Sequence, residues 1–385
     1  MRIALLTYST KLRGSVVHTL ELAEALHDLG HDVTVYALDK DGKGFDRPLS
    51  CHQRLIPAAP APADLDRLIQ QRIHEFVVAL EQDLRSDALD VYHAQDCIGA
   101  NALAILRQRQ LIPHFARTVH HIEDYSSLYL QQCQDRSIRE ADLCLCVSQE
   151  WQQELHRQYQ IEAPRVYNGV NLNRFSPEVN GVESEVKQRF GLQGLPLYLT
   201  IGGIEPRKNS IALLQAFAQV LPHQPQAQLV IAGGSTLFDY HTYRDEFFAN
   251  VQALGIPDAA LVVTGVIPDR LLPVLYRTAD AFVFPSVKEG WGLVVLEAIA
   301  SGLPVVTSNQ PPFTEFLSPE QALLVDPLSP QAIAQAMLAV TRPEVTRSLV
   351  QQSQSVLSTY TWVASAQVHL RHYAQLLKDK GKDEG

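Results

Sequence analysis

"RIALLTYSTKLRGSVVHTLELAEALHDLGHDVTVYAL", residues 2–38, holds one complete structural unit. It opens with a continuous apolar run, RIALLTY, and a polar turn, STKLRGS. Apolar residues then recur at Val16, Leu20, Ala23 and Leu26 until Gly30. An unbroken apolar run fits a strand buried on both faces, and the recurrence fits a helix with one covered side. DVTVYAL (32–38) reads as a second strand. Strand, helix and strand in that order imply a parallel pair joined by a right-handed crossover.

The same alternation runs along the chain. AAPAPADLDRL (58–68) is a Pro/Ala-rich loop entering an amphipathic helix, and DVYHAQD (90–96), FARTVHH (115–121) and ADLCLCVS (141–148) read as strands. NGVNLNRFSPEVNGVES (168–184) is rich in Asn, Gly, Ser and Pro and marks a domain boundary. Beyond it PLYLTIGG, QLVIAGG, LVVTGV, AFVFPS, LPVVTS and ALLVD read as strands with helices between them. The expectation is an α/β protein of two doubly wound Rossmann-like domains facing a cleft. The domains are placed at 1–175 and 176–360. A final helix, 361–385, is expected to pack back toward the first domain and to end in a fraying charged tail.

The chain has 385 residues, is 46% hydrophobic and 19% charged, and carries a net charge of -10. That is a globular composition of two-domain length. Up to Phe175 there are 18 basic and 23 acidic residues, leaving 32 − 18 = 14 and 42 − 23 = 19 beyond it. Neither half is a basic module, which argues against a nucleic-acid partner. The first apolar run is short for a signal peptide, and no stretch approaches a membrane span. The odd number of cysteines, Cys51, Cys97, Cys133, Cys144 and Cys146, without a Cys-x-x-Cys pair, predicts buried thiols in a reducing cytoplasm.

In doubly wound sheets ligands bind beyond the carboxyl ends of the strands, so the residues just after strands are the informative ones. EGWGLVVLEAIASGLPVV (289–306) sets Glu289 and Glu297 with seven residues between them, around Gly290, Trp291, Gly292 and Leu293. The helix is expected to start near Gly292 and end at Gly302, with a positive dipole end suited to a phosphate. The helical neighbours of Glu297 are Leu293, Val294, Ala300 and Ser301, none of them basic. A ribose offering paired hydroxyls would satisfy Glu297, and sugar hydroxyls would satisfy Glu289. In TIGGIEPRKNS (200–210), Arg207 and Lys208 stand at a helix start, where the dipole disfavours cations, so an anion such as a diphosphate is expected between them. His120, His121, Glu123 and Asp124 cluster after one strand, and Gly14 lies in the first turn. No G-x-G-x-x-G follows a strand, and no P-loop, zinc spacing or G-x-S-x-G elbow occurs.

The Glu-x7-Glu element, GGIEPRKN, TVH and NGVNLNRF together resemble the retaining glycosyltransferases of family four, which have the GT-B fold. The resemblance runs from GSVVHTLELAEAL to TYTW (359–362) and is more specific in the second half. It implies that Glu297 holds a nucleotide ribose and Glu289 contacts the donor sugar. Trp291, Gly292 and Leu293 would supply backbone near the sugar and phosphates, and Gly290 with Gly292 lets the backbone approach a ligand closely. Lys208 would bind the diphosphate, Val266 would meet the base through its backbone, His120 would stand near the transferred sugar, and Gly14 beside the diphosphate. One position departs: the family usually has Arg where this chain has Gly203, and Arg207 is the substitute at hand.

The implied catalytic residues are thus His120, Lys208 and Glu289, with no metal and no cofactor beyond a nucleoside-diphosphate sugar as donor substrate. The implied reaction is retaining transfer of a hexose-type sugar to an unidentified sugar, lipid or small-molecule acceptor. Lys11, Arg13, His18, His93 and Asp96 are acceptor-side candidates by position. Arg107, Arg109 and Arg117 offer at most a weak peripheral membrane contact. The alternatives are a nucleotide-sugar epimerase on the same fold and a non-catalytic nucleotide-sugar-binding protein.

Overall fold

The computed structural model describes residues 1–84, 89–234 and 240–380. The chain divides into two compact units, 1–169 with 360–385, and 170–359. The charged tail after residue 380 lies outside the described residues.

In the N-terminal unit the strands are β1 (Arg2–Thr7), β2 (Asp32–Asp39), β3 (His52–Pro57), β4 (Val91–Ala94), β5 (Ala116–Val119) and β6 (Leu143–Cys146). They form one parallel sheet in the order β3-β2-β1-β4-β5-β6. The unexpected strand is β3. It sits on the sheet edge and carries His, Gln and Arg, so its sequence lacks the apolar run of a central strand. β1, by contrast, is buried from Ile3 to Thr7.

The C-terminal unit holds β7 (Leu197–Ile201), β8 (Gln228–Ala232), β9 (Leu261–Gly265), β10 (Ala281–Phe284), β11 (Val305–Ser308) and β12 (Leu323–Val325). Their order is β12-β11-β10-β7-β8-β9, again parallel. Read from the other edge, this is the order of the first sheet. In both, the winding direction reverses between the first and fourth strands, β1/β4 and β7/β10. Neighbouring loops there leave the sheet in opposite directions and open a crevice in which ligands bind.

The final helix, Trp362–Lys380, belongs to the N-terminal unit and packs on the helix Gly14–Asp28. Chain exit and re-entry are tightly fitted. A Cβ added to Gly169 would stand 2.3 Å from the Thr361 carbonyl carbon, so only glycine fits there. All five cysteines are free thiols, four of them buried. No helix among the described residues is long and apolar enough to cross a membrane.

Candidate active site

The loops after β7 and β10, where the winding reverses, bring together Glu205, Arg207, Lys208 and Glu289. After β7 the chain turns through Gly202 (φ 133°) and Gly203 (φ 77°), which need glycine's access to the left-handed region. A Cβ on Gly203 would lie 2.6 Å from the Gly234 carbonyl oxygen. The loops after β7 and β8 are therefore packed backbone on backbone, and no side chain fits at position 203. This is the physical content of the departure seen in the sequence.

The chain then makes one 3-10 turn, Pro206–Lys208, and starts the helix Ser210–Val220. The Lys208 stem lies over Gly202, with Cε 2.7 Å from where a Cβ would stand. Its Nζ stands 4.6 Å from the Phe284 ring centroid and donates to Glu289 Oε1 at 2.5 Å. Arg207 Nη1 lies 3.2 Å from the same oxygen, and Ser286 Oγ donates to it at 2.8 Å. Arg207 Nε is 3.0 Å from Glu205 Oε2, and the Glu205 side chain is only 2% exposed. Burial opposes ionisation of Glu289, but Lys208 and then Arg207 outweigh it and hold the carboxyl below its ordinary range. Burial lowers the Lys208 pKa despite the pull of Glu289. In this structure the carboxylate of Glu289 stands between the two cations.

The helix carrying Glu297 runs Leu293–Ala300, two residues short of Gly302, with Gly292 as its N-cap at φ 100°. A Cβ on Gly292 would meet the Phe313 ring at 2.7 Å. Trp291, expected to act through its backbone, buries its indole and stacks on Phe316 with centroids 4.9 Å apart. Gly290 and Leu293 are partly exposed at the helix start. Glu297 is 7% exposed and does have a protein partner: Tyr276 Oη donates to its Oε2 at 2.8 Å. Helix spacing could not reveal this, because Tyr276 lies on another helix, Leu272–Thr278. Val266 follows β9 with its side chain 78% exposed, against Gly234.

In the N-terminal unit Gly14 opens the helix Gly14–Asp28, and an added Cβ there would meet nothing within 4 Å. Lys11 pairs with Asp41. Asp96 caps the helix Cys97–Gln108, accepting from Gly99 N at 2.8 Å, and burial raises its pKa. The expected His120 cluster is divided. His120 turns inward, its Nε2 3.0 Å from Gln95 Oε1, while His121 pairs with Glu123 at the surface.

The inward side holds a group that sequence spacing could not assemble. His18 contacts the rings of His120 at 4.7 Å and Trp362 at 5.3 Å, and its Nδ1 lies 2.9 Å from Asn168 Oδ1. His93 lies 2.8 Å from Thr118 Oγ1 and 2.5 Å from Tyr373 Oη, and His369 stands 5.8 Å from it, ring to ring. Burial lowers the pKa of His18 to about 4 and that of His369 to about 3, and holds His93 and His120 well below the usual imidazole range. Trp362, His369 and Tyr373 all come from the final helix.

The three arginines considered for membrane contact lie in different surroundings. Arg107 pairs with Asp142 at 3.0 Å, Arg109 pairs with Glu81, and Arg117 is buried. Among the described residues no group of three or more His, Cys, Asp or Glu side chains is arranged to hold a metal.

Two parallel sheets of the same winding make two Rossmann-like domains, the GT-B fold, and cations and carboxylates gather at the reversal of the second. Residues 12–174 match the family model described as Glycosyltransferase Family 4, and residues 183–354 match Glycosyl transferases group 1. The chain belongs to the group 1 glycosyltransferases of the family 4 type. It is 25% identical to mannosylfructose-phosphate synthase of Agrobacterium fabrum, covering 92% of this chain and 84% of that one. It is 28% identical to the alpha-monoglucosyldiacylglycerol synthase of Streptococcus pneumoniae, covering 83% and 73%. It is 33% identical to O-antigen chain mannosyltransferase B of Escherichia coli over 54% of each chain, so it spans about half of that relative. In fold it is similar to the sucrose-phosphate synthase of Thermosynechococcus elongatus, with a TM-score of 0.80, 24% identity and coverage of 98% and 99%. Anabaena HepE, solved with UDP-glucose, gives a TM-score of 0.80 at 20% identity, covering 98% and 100%.

Proposed function

We propose that this chain is a retaining glycosyltransferase that moves a hexose-type sugar from a nucleoside-diphosphate sugar to an acceptor, without a metal ion. The observation that carries the reading is the convergence of Lys208 and Arg207 on Glu289 at the β7/β10 reversal. The start of the Leu293–Ala300 helix and Glu297 belong to the same loop-helix element as Glu289. Names among the relatives include mannosyl and glucosyl transfer, and one structural neighbour was solved with UDP-glucose, which supports a hexose donor.

On this reading Glu297 accepts from ribose hydroxyls, and Lys208 and Arg207 bind the diphosphate. Positive charge fixed beside the leaving oxygen stabilises the charge that grows there as the glycosidic bond breaks. That oxygen then takes the acceptor's proton on the same face, which retains the anomeric configuration. Glu289 exchanges a cation for a sugar hydroxyl, and His120 contacts the transferred sugar. The proposal places the enzyme in the cytoplasm, where free thiols persist, with no nucleic-acid partner and at most weak peripheral membrane contact.

The test is a thermal-shift panel of UDP, GDP, ADP and their common sugar conjugates on the wild type and Glu297→Ala. A ligand at a hundred times its dissociation constant stabilises by about 2.7 kcal/mol. One nucleotide should stabilise the wild type and much less the variant, and its sugar conjugate should transfer with the product anomer retained by NMR. Failure of every nucleotide, or an inverted anomer, would sink the reading.

A further inference from the structure

We propose that Tyr276 is a positioning residue for Glu297: its hydroxyl fixes the carboxylate in the orientation in which that group recognises the 2′- and 3′-hydroxyls of the donor nucleotide. The inference builds on the reading of Glu297 as the ribose residue.

The hydrogen bond runs from the Tyr276 hydroxyl to the Glu297 carboxylate. Near neutral pH a tyrosine hydroxyl donates, and a carboxylate only accepts. The Oη–Oε2 distance of 2.8 Å is that of a good O–H···O bond, while the Val294 carbonyl lies further off at 3.2 Å. Tyr276 is fully buried, and its ring is wedged between Phe175, with centroids 5.8 Å apart, and Phe282 at 5.6 Å. The phenol cannot follow the glutamate if it rotates. Burial first, and the neighbouring Glu297 second, push the Tyr276 pKa well above its ordinary value, so the proton stays on tyrosine.

The consequence is geometric. A glutamate with a free terminal torsion presents its two oxygens over a broad range of planes. Ribose recognition needs one plane, with lone pairs aimed at two adjacent hydroxyls. Anchoring Oε2 selects that plane before the nucleotide arrives, so less conformational freedom is lost on binding. Tyr276 also lies just before Thr278, the last residue of its helix, and on no strand end, so post-strand position does not flag it.

The experiment compares wild type with Tyr276→Phe, which keeps the ring and removes the hydroxyl. Calorimetry measures affinity for UDP and for 2′,3′-dideoxy-UDP, with the guanine and adenine pairs in parallel. Wild type should prefer the ribonucleotide. Tyr276→Phe should weaken ribonucleotide binding by about tenfold, as expected for one hydrogen bond to a charged group, and leave the dideoxy nucleotide unchanged. A purely structural role would weaken both nucleotides equally, which would overturn the proposal. So would a variant identical to wild type, and in that case the ribose reading of Glu297 would survive. If neither wild type nor Glu297→Ala separates the two nucleotides, the ribose reading itself fails and the inference falls with it. Should the phenylalanine variant not fold, 3-fluorotyrosine at 276, nearly the same shape but a stronger donor, must change the ribo/dideoxy ratio; an unchanged ratio would overturn the proposal.

Discussion

Lys208 Nζ and Glu289 Oε1 stand 2.5 Å apart, with both side chains at most 10% exposed, and Arg207 Nη1 reaches the same oxygen at 3.2 Å. A carboxylate held by two cations competes with any other anion for them. Glu289→Gln keeps the shape and removes that competition. We expect nucleoside-diphosphate affinity to rise and transfer to fall, because the neutral amide is a poorer acceptor for a sugar hydroxyl. Without ligand the variant should melt lower than wild type, since Lys208 loses its buried counter-charge, and nucleotide should restore the difference. Isothermal titration and melting curves read both effects. Weaker nucleotide binding in the variant would mean that Glu289 does not compete with the diphosphate.

The second cation can be located by two substitutions of opposite expectation. Arg207→Ala should lower nucleoside-diphosphate affinity about tenfold, which is about 1.4 kcal/mol. Gly203→Arg should not raise it. The left-handed backbone there costs a side chain about 1–2 kcal/mol. The added Cβ would stand 2.6 Å from the Gly234 carbonyl oxygen, which would have to move. A lower melting temperature with no gain in affinity is the expected result. A stable, tighter-binding Gly203→Arg would show that the loop yields easily.

Acid should weaken the N-terminal unit through its buried histidines. His18 and His369 have folded pKa values lowered to about 4 and about 3. Above pH 6.5 both the folded and unfolded chains leave them neutral. As pH falls below that, the unfolded chain takes protons that the folded one refuses, and each such histidine removes up to about 1.4 kcal/mol of stability per pH unit. The loss continues to about pH 4 for His18 and about pH 3 for His369. Melting temperatures between pH 7.5 and 4 should fall, and His369→Leu should flatten the slope by about one proton relative to wild type. Equal slopes would show that His369 titrates alike in both states.

Transfer should proceed unchanged after dialysis against EDTA, because on the proposed reading Lys208, Arg207 and a helix start supply the positive charge. Loss of activity restored by magnesium or manganese would show that a metal ion carries that charge.

Much of the site could be read from the sequence. Post-strand position made Lys208 and Glu289 candidates, spacing along the helix made Glu297 one, and the repeated strand-helix alternation gave two doubly wound sheets. Edge strand β3 could not be read, because a strand with an open side need not be apolar on both faces. Tyr276 could not be read either, since it touches Glu297 from a neighbouring helix, and helix spacing reports only contacts within one helix. The cluster of His120, His121, Glu123 and Asp124 looked like one group, but the chain turns His120 inward and His121 outward.

By itself the sequence determined all the strands but β3, their parallel pairing and the residue types placed after strand ends, because hydrophobic period and turn residues are local properties. Only the tertiary structure decided the partners. It brought Glu289 between Lys208 and Arg207, Tyr276 onto Glu297, and the final helix onto His93 across 280 residues of chain. Those pairings arise from packing elements distant in sequence, where burial makes each charged or polar group find whatever complementary group the fold has placed beside it.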